Sequence, residues 1–219
     1  MKSWDNIWDD IFKNQSWGKY PGESLIQFTA RNFYQGNRQQ TKLLEVGCGP
    51  GANIWYLSRE QFNVYGIDGS KAAIEIAKQR LSLENLKATL IIGDIINLPF
   101  ETNYFDGIID VECIYCNNWE NTEIILQEIQ RTLKTKGLFY SRTFAEDMFV
   151  GDAKCVEKNE YNDIPEGPLK GKGFVRLSNE ESIRNLYGKY FNILSIDKLK
   201  YTINNGKNTI SEYIIICRK

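Results

Sequence analysis

The 219-residue chain contains no histidine. That absence excludes a Ser-His-Asp triad, a Cys-His dyad and any His-ligated zinc centre. No apolar run approaches the ~20 residues that cross a bilayer. The opening residues, Met1-Lys2-Ser3-Trp4-Asp5, form no apolar signal region. A cytoplasmic protein without a membrane partner is therefore expected. Dense Lys/Arg blocks are missing too, and 27 basic against 28 acidic residues leave a formal net charge of −1. Such a balance gives no general attraction to a phosphate backbone, so no nucleic-acid partner is expected. The five cysteines are odd in number and read as free thiols rather than a disulfide framework. Internal repeats and low-complexity tracts are absent.

What is present suits one soluble domain: 42% hydrophobic and 25% charged residues, in a chain long enough to bury a full core. The first forty residues are rich in aromatics. Trp4, Ile7, Trp8, Ile11 and Phe12 follow helical spacing; the aromatics there read either as the substrate side, built with the 145–175 insert, or as core, which the one-turn spacing of Trp4 and Trp8 favours, and Gly18, Pro21 and Gly22 interrupt the pattern before a second helix over 24–34. Short β-prone runs then alternate with helical patterns. Strands are expected over 42–46, 62–67, 88–92, 104–111 and 138–143, with helices over 53–59, after Ser70, and over 122–133. The alternation predicts an α/β fold: a doubly wound, mainly parallel sheet with helices on both faces. Residues 145–175 fit no period and read as a lid or binding insert. Ser178-Asn179-Glu180-Glu181 reads as a capping box, and two alternating runs, 193–203 and 209–217, flank a hairpin turn.

Three strand ends carry the chemistry. Leu43-Leu44-Glu45-Val46-Gly47-Cys48-Gly49-Pro50-Gly51 runs a strand into a glycine-rich turn and a helix, where free backbone N–H groups hold a nucleotide-like ligand. Asp68 lies 21 positions beyond Gly47, where a carboxylate grips a ribose diol; with Ser70 it also reads as a helix cap. Gly93-Asp94-Ile95 closes the third strand, and its carboxylate could accept from an adenine amino group.

On these residues the chain resembles the class I S-adenosylmethionine-dependent methyltransferases, closest to the small-molecule group with type 11 or type 25 domains. Leu98-Pro99-Phe100, Phe105-Asp106-Gly107-Ile108-Ile109 and the turn Leu133-Lys134-Thr135-Lys136-Gly137-Leu138 extend the likeness. The resemblance implies a Rossmann-like seven-stranded sheet whose last strand is antiparallel. It divides a single domain into an aromatic cap (1–41), a cofactor-binding core (42–143), an insert (144–176) and a final helix with β-hairpin (177–219). It implies S-adenosylmethionine as cofactor, S-adenosylhomocysteine as product and a small-molecule acceptor methylated on oxygen or nitrogen. Glu45, Gly47, Cys48, Gly49 and Gly51 would line the methionine end and ribose. Asp68, Gly69 and Ser70 would hold the ribose side, and Gly93, Asp94 and Ile95 the adenine. Asp110, Val111 and Glu112 would border the methionine moiety and the transfer site, with Trp17 and Tyr20 folding over the cofactor.

The same fingerprint also serves NAD(P)-dependent oxidoreductases, and a non-catalytic module that binds S-adenosylmethionine is a further alternative. Similar proteins often carry a histidine a few positions past Glu112, where this chain has Cys116. Without it, Glu112, Asp110 and Tyr115 are the candidate bases, followed by Glu146, Asp147 and Tyr140. Cys113 and Cys116 form a Cys-x-x-Cys pair with no second ligand pair, so no metal is expected.

Overall fold

The computed structural model describes residues 2–219. Five parallel strands follow the alternation in the sequence: β1 (Lys42–Val46), β2 (Asn63–Asp68), β3 (Thr89–Ile92), β4 (Phe105–Val111) and β5 (Leu133–Phe144). The chain enters through α1 (Ile7–Asn14) and α2 (Glu23–Phe33), and α3 (Ala52–Arg59), α4 (Lys71–Ser82) and α5 (Trp119–Thr132) connect the strands. After the insert come α6 (Glu180–Tyr187) and the hairpin, which we label β9 (Asn192–Ile203) and β10 (Asn208–Arg218). The sheet order is β3-β2-β1-β4-β5-β10-β9, with β10 antiparallel to both neighbours. The chain thus reverses direction across the sheet between β1 and β4, which opens a cleft at the carboxyl ends of those strands.

Alternate residues of the central strands are apolar on both faces, as a covered parallel sheet requires. Leu44, Ile108 and Phe139 face α5, through Ile125, Leu126 and Ile129. Their neighbours Leu43, Ile109 and Tyr140 face α2, α3 and α4, through Phe28, Ile54 and Ile74.

Four details depart from expectation. Trp4 precedes α1 instead of forming its first turn. α5 starts early, at Trp119, because the Asn118 side chain accepts from the Asn121 N–H at 2.9 Å and caps it. β5 also starts early: Leu133 pairs with Phe105 before a register shift, and Lys136 takes a left-handed φ of 67°. The cap of α6 is Asn179 exchanging bonds with Ser182, since Ser178 is held in a backbone bridge to Ala145. The insert folds into a three-stranded antiparallel sheet, β6 (Cys155–Glu157), β7 (Glu160–Asn162) and β8 (Phe174–Arg176). Its core, Met148, Ile164, Leu169 and Val175, packs against Tyr115, Phe144 and Ile210.

Candidate active site

The turn after β1 approaches the turn after β4 so closely that Gly47 has no room for a side chain. Its φ is +62°, and a Cβ there would lie 2.0 Å from Cys113 Sγ. Gly51, at φ +78°, starts α3 hard against Ala77 of α4. These contacts close the floor of the cleft.

Two adjoining cavities occupy it. One, of 80 Å³, is lined by Gly47, Asp68, Gly69, Gly93 and Ile95. The other, of 430 Å³, is lined by Trp17, Glu45, Cys48, Gly49, Val111 and Tyr115. Gly47, Glu112, Trp8 and Phe12 border both.

Asp68, at the end of β2, accepts the Gly49 N–H on one carboxylate oxygen and the Ser70 N–H on the other, both at 2.8 Å. It ties the glycine turn to the start of α4. The cap of that helix is Ser70, whose hydroxyl accepts from the Ala73 N–H and donates to Asp9. Burial pushes the Asp68 carboxyl above its ordinary range despite the two N–H donors. Asp94 accepts from the Ser3 N–H, the Ser3 hydroxyl and the Ile96 N–H. The segment before α1 is thereby fastened at the third strand end, with the Trp4 ring against Gly69.

Glu45 is 2% exposed. One oxygen accepts from Asn53 at 2.5 Å, and the other, Oε2, has no hydrogen-bond partner among the described residues. Burial raises its pKa to about 8, with Asn53 opposing and Asp68 and Asp110 adding to the rise. The Trp17 indole N–H is likewise buried without a partner among the described residues. Both residues line the larger cavity, and each carries a buried polar atom left unpaired among the described residues, one an acceptor and one a donor.

Other candidates stand elsewhere. Asp110 is fully buried beneath the cavities: it accepts the Cys113 and Ile114 N–H groups at 3.1 Å and the Ser141 hydroxyl at 2.6 Å. It shapes the 3-10 turn Ile114–Cys116 that follows β4. Gly51 and Ser70 border neither cavity and serve the helix starts. Tyr20 is 75% exposed, edge-on to Trp55, and does not cover the cleft. Tyr140 bonds Ser24, Glu146 takes the Asn179 amide, and Asp147 sits between Lys198 and Lys200. Trp8, expected in the core, instead lines the cleft with Phe12, and Trp4 joins them at the smaller cavity.

Arg142 and Glu212 at the wall of the larger cavity were not anticipated. Their signal was a charge at mid-strand: Arg142 between Ser141 and Thr143 in β5, and Glu212 just before the apolar run of β10. Each breaks an otherwise buried strand.

A family model described as a methyltransferase domain matches residues 37–206. The chain belongs to the class I S-adenosylmethionine-dependent methyltransferases. The matching model is type 31, a different member of the set from the types 11 and 25 that the motifs resemble. The chain is 28% identical over 163 residues to a probable phthiotriol/phenolphthiotriol dimycocerosates methyltransferase 2 of Mycobacterium ulcerans, across 74% of the chain and 57% of that protein. It is 25% identical over 202 residues to a tRNA N(3)-methylcytidine methyltransferase of Drosophila melanogaster, across 84% of the chain and 59% of that protein. The chain thus spans little more than half the length of these relatives. Among solved structures, a SAM-dependent methyltransferase of Methanosarcina mazei superposes with a TM-score of 0.74 at 18% identity, covering 91% of this chain and 98% of that one. Its likeness is one of fold. Among the described residues no helix is long and apolar enough to cross a membrane.

Proposed function

We propose that this methyltransferase moves a methyl group from S-adenosylmethionine to an oxygen or nitrogen atom of a small cytoplasmic molecule. The observation that carries the reading is the meeting of the two cavities at Gly47 and Glu112. The smaller suits the adenosine side, through Asp68, Gly69 and Ile95. The larger has room for an amino-acid tail and an acceptor. Glu45 Oε2 and Trp17 Nε1, both unpartnered among the described residues, fit the ammonium and carboxylate of the methionine end. The bound sulfonium supplies an activated methyl group for in-line displacement; the protein's task is to orient the acceptor, which can account for ~7–11 kcal/mol of the barrier. The cavity walls Trp8, Phe12, Trp17, Tyr115 and Phe144 suit an acceptor with an apolar body. A net charge of −1 gives no general pull on an RNA backbone, which supports the small acceptor over a tRNA.

Thermal unfolding with S-adenosylmethionine, S-adenosylhomocysteine and NAD in parallel tests the cofactor. A ligand at a hundred times its Kd adds ~2.7 kcal/mol, which raises Tm by roughly 5–10 °C for a chain of this size. The rise is expected with the two sulfur compounds and not with NAD; the reverse pattern would sink the proposal.

A further inference from the structure

Glu112 directly follows β4, and its φ of +55° is a left-handed conformation that a residue with a side chain rarely adopts. Backbone strain of this kind persists only where the surroundings hold it, and it gathers at working sites. Here the holder is Arg142 of β5. The Glu112 N–H donates to the Arg142 carbonyl at 2.9 Å, and the Glu112 carboxylate lies 3.4 Å from Arg142 Nε. One residue thus fixes both the main chain and the side chain of Glu112.

Arg142 is shared unequally. Its Nε and Nη2 both donate to Glu212 Oε2, at 2.9 and 2.5 Å, and Glu212 is 1% exposed. Glu212 has the close, buried pairing. Glu112 keeps the longer contact, retains 32% of its side-chain exposure, and opens to both cavities. Two carboxylates on one guanidinium leave an unneutralised charge, and the geometry puts it on the group that faces the ligands.

The titratable groups around Glu112 are Arg142, Glu212 on β10, Tyr201 on β9, Asp110 on β4, and Tyr115 and Cys116 in the 3-10 turn. From α1 only the rings of Trp8 and Phe12 border the same space. From the insert comes Lys172, whose Nζ rests over the Trp8 and Trp17 rings, with no carboxylate partner among the described residues. Burial raises the Glu112 carboxyl to about 7; Arg142 opposes the rise and Glu212 adds to it.

We propose that Glu112 takes the proton from an acceptor atom that carries one at neutral pH, with Arg142 and Glu212 as its positioning residues. This deepens the methyl-transfer reading and rests on it. As the acceptor's lone pair bonds to the methyl carbon, the carbon–sulfur pair leaves with sulfur as a neutral thioether. The acceptor's proton passes to a Glu112 carboxylate oxygen, so the sulfonium's positive charge and the carboxylate's negative charge vanish together. An acceptor already ionised would have no use for this arrangement.

The test begins with NMR titration of 13C-labelled glutamate carboxyls in the full chain, assigned by Glu112→Gln. Glu112 should titrate within about one unit of pH 7 in the parent, and about a unit or more lower in Glu212→Gln, where Arg142 is free to turn to Glu112. Arg142→Lys keeps the charge but loses the fork, and should also move the titration. A Glu112 that titrates in the ordinary carboxylate range, or does not respond to either folded variant, overturns the proposal. Calorimetry with S-adenosylhomocysteine separates the two readings. Glu112→Gln should bind it within about threefold of the parent, and a tenfold loss would make Glu112 a cofactor-holding residue instead. No binding by the parent chain would fail the methyl-transfer reading itself, whatever Glu112 does. With an acceptor found by labelled methyl transfer, Glu112→Gln should lower kcat by about 10²–10⁴-fold and abolish the fall in rate at acid pH. An unchanged pH profile would overturn the proposal.

Discussion

Replacing Asp68 by alanine removes an acceptor that serves two jobs, and the structure lets them be measured apart. The carboxylate receives the Gly49 and Ser70 N–H groups, both in a buried setting. Losing it leaves two buried donors unpaired, at about 1–3 kcal/mol each. Part of that loss is offset, because burial already disfavours the ionised carboxyl. A net destabilisation of about 2–4 kcal/mol remains, which for a chain this long lowers Tm by roughly 5–15 °C. Asp68→Asn keeps one acceptor oxygen and should lose about half as much. The second job is the ribose. Asp68→Ala should weaken S-adenosylhomocysteine by a further 1–3 kcal/mol, about 5- to 150-fold in Kd, measured by calorimetry at a temperature where the variant is still folded. A fallen Tm with unchanged affinity would refute the ribose assignment. An unchanged Tm with weakened affinity would refute the argument that Asp68 holds the glycine turn to α4.

Two other substitutions probe the same floor. Glu45→Gln keeps the Asn53 bond and removes a buried carboxyl whose pKa rises from 4.5 to about 8 on folding. A raised carboxyl pKa contributes stability below the unfolded value and loses it as pH climbs through the folded one. The variant should therefore gain on the parent between pH 5 and 8, by at most about 5 kcal/mol, in denaturant unfolding; a constant difference across that range would contradict the burial argument. Gly47→Ala should fold poorly, since its Cβ would lie 2.0 Å from Cys113 Sγ. Adding Cys113→Gly should restore all but about 1–2 kcal/mol of left-handed backbone strain, and failure to recover would place the damage elsewhere.

Features set by local chemistry were legible in the sequence. The glycine turn, the Asp68 spacing and the terminal hairpin each follow from a short run of residues with specific backbone needs, and the seven strands with an antiparallel last one are what the resemblance implies. Features set by what one surface meets were not. Trp8 and Phe12 stand one turn apart, a pattern common to a core helix and to a helix roofing a cleft; only the tertiary position of α1 decides. Tyr20 looked loop-like, and is, but Trp55 draws it away from the cleft. The 145–175 stretch hid its sheet because β6, β7 and β8 have three residues each, too few to show a period. Arg142 and Glu212 were visible only as charges out of place, 70 positions apart, with nothing in either strand to announce the other.

A chain without histidine has no side chain whose ordinary pKa lies near 7, so proton traffic at neutral pH must rely on a perturbed one. Burial lifts three carboxyls at the ends of β1 and β4 toward that range: Asp110 to about 6, Glu112 to about 7 and Glu45 to about 8. The pKa values alone do not choose among them; their partners do. Asp110 is fully enclosed and accepts three hydrogen bonds, so it can reach no ligand without dismantling the turn it holds. Glu45 lines the larger cavity and keeps one buried oxygen unpaired among the described residues, beside the glycine turn, where the methionine end would sit. Glu112 borders both cavities, so a proton removed at the boundary between cofactor and acceptor has one carboxylate placed to receive it. If Glu112→Gln and Glu45→Gln are compared side by side, the first should lose turnover and keep cofactor affinity, and the second should lose affinity. The opposite assignment would show that the two carboxyls have exchanged the roles their geometry suggests.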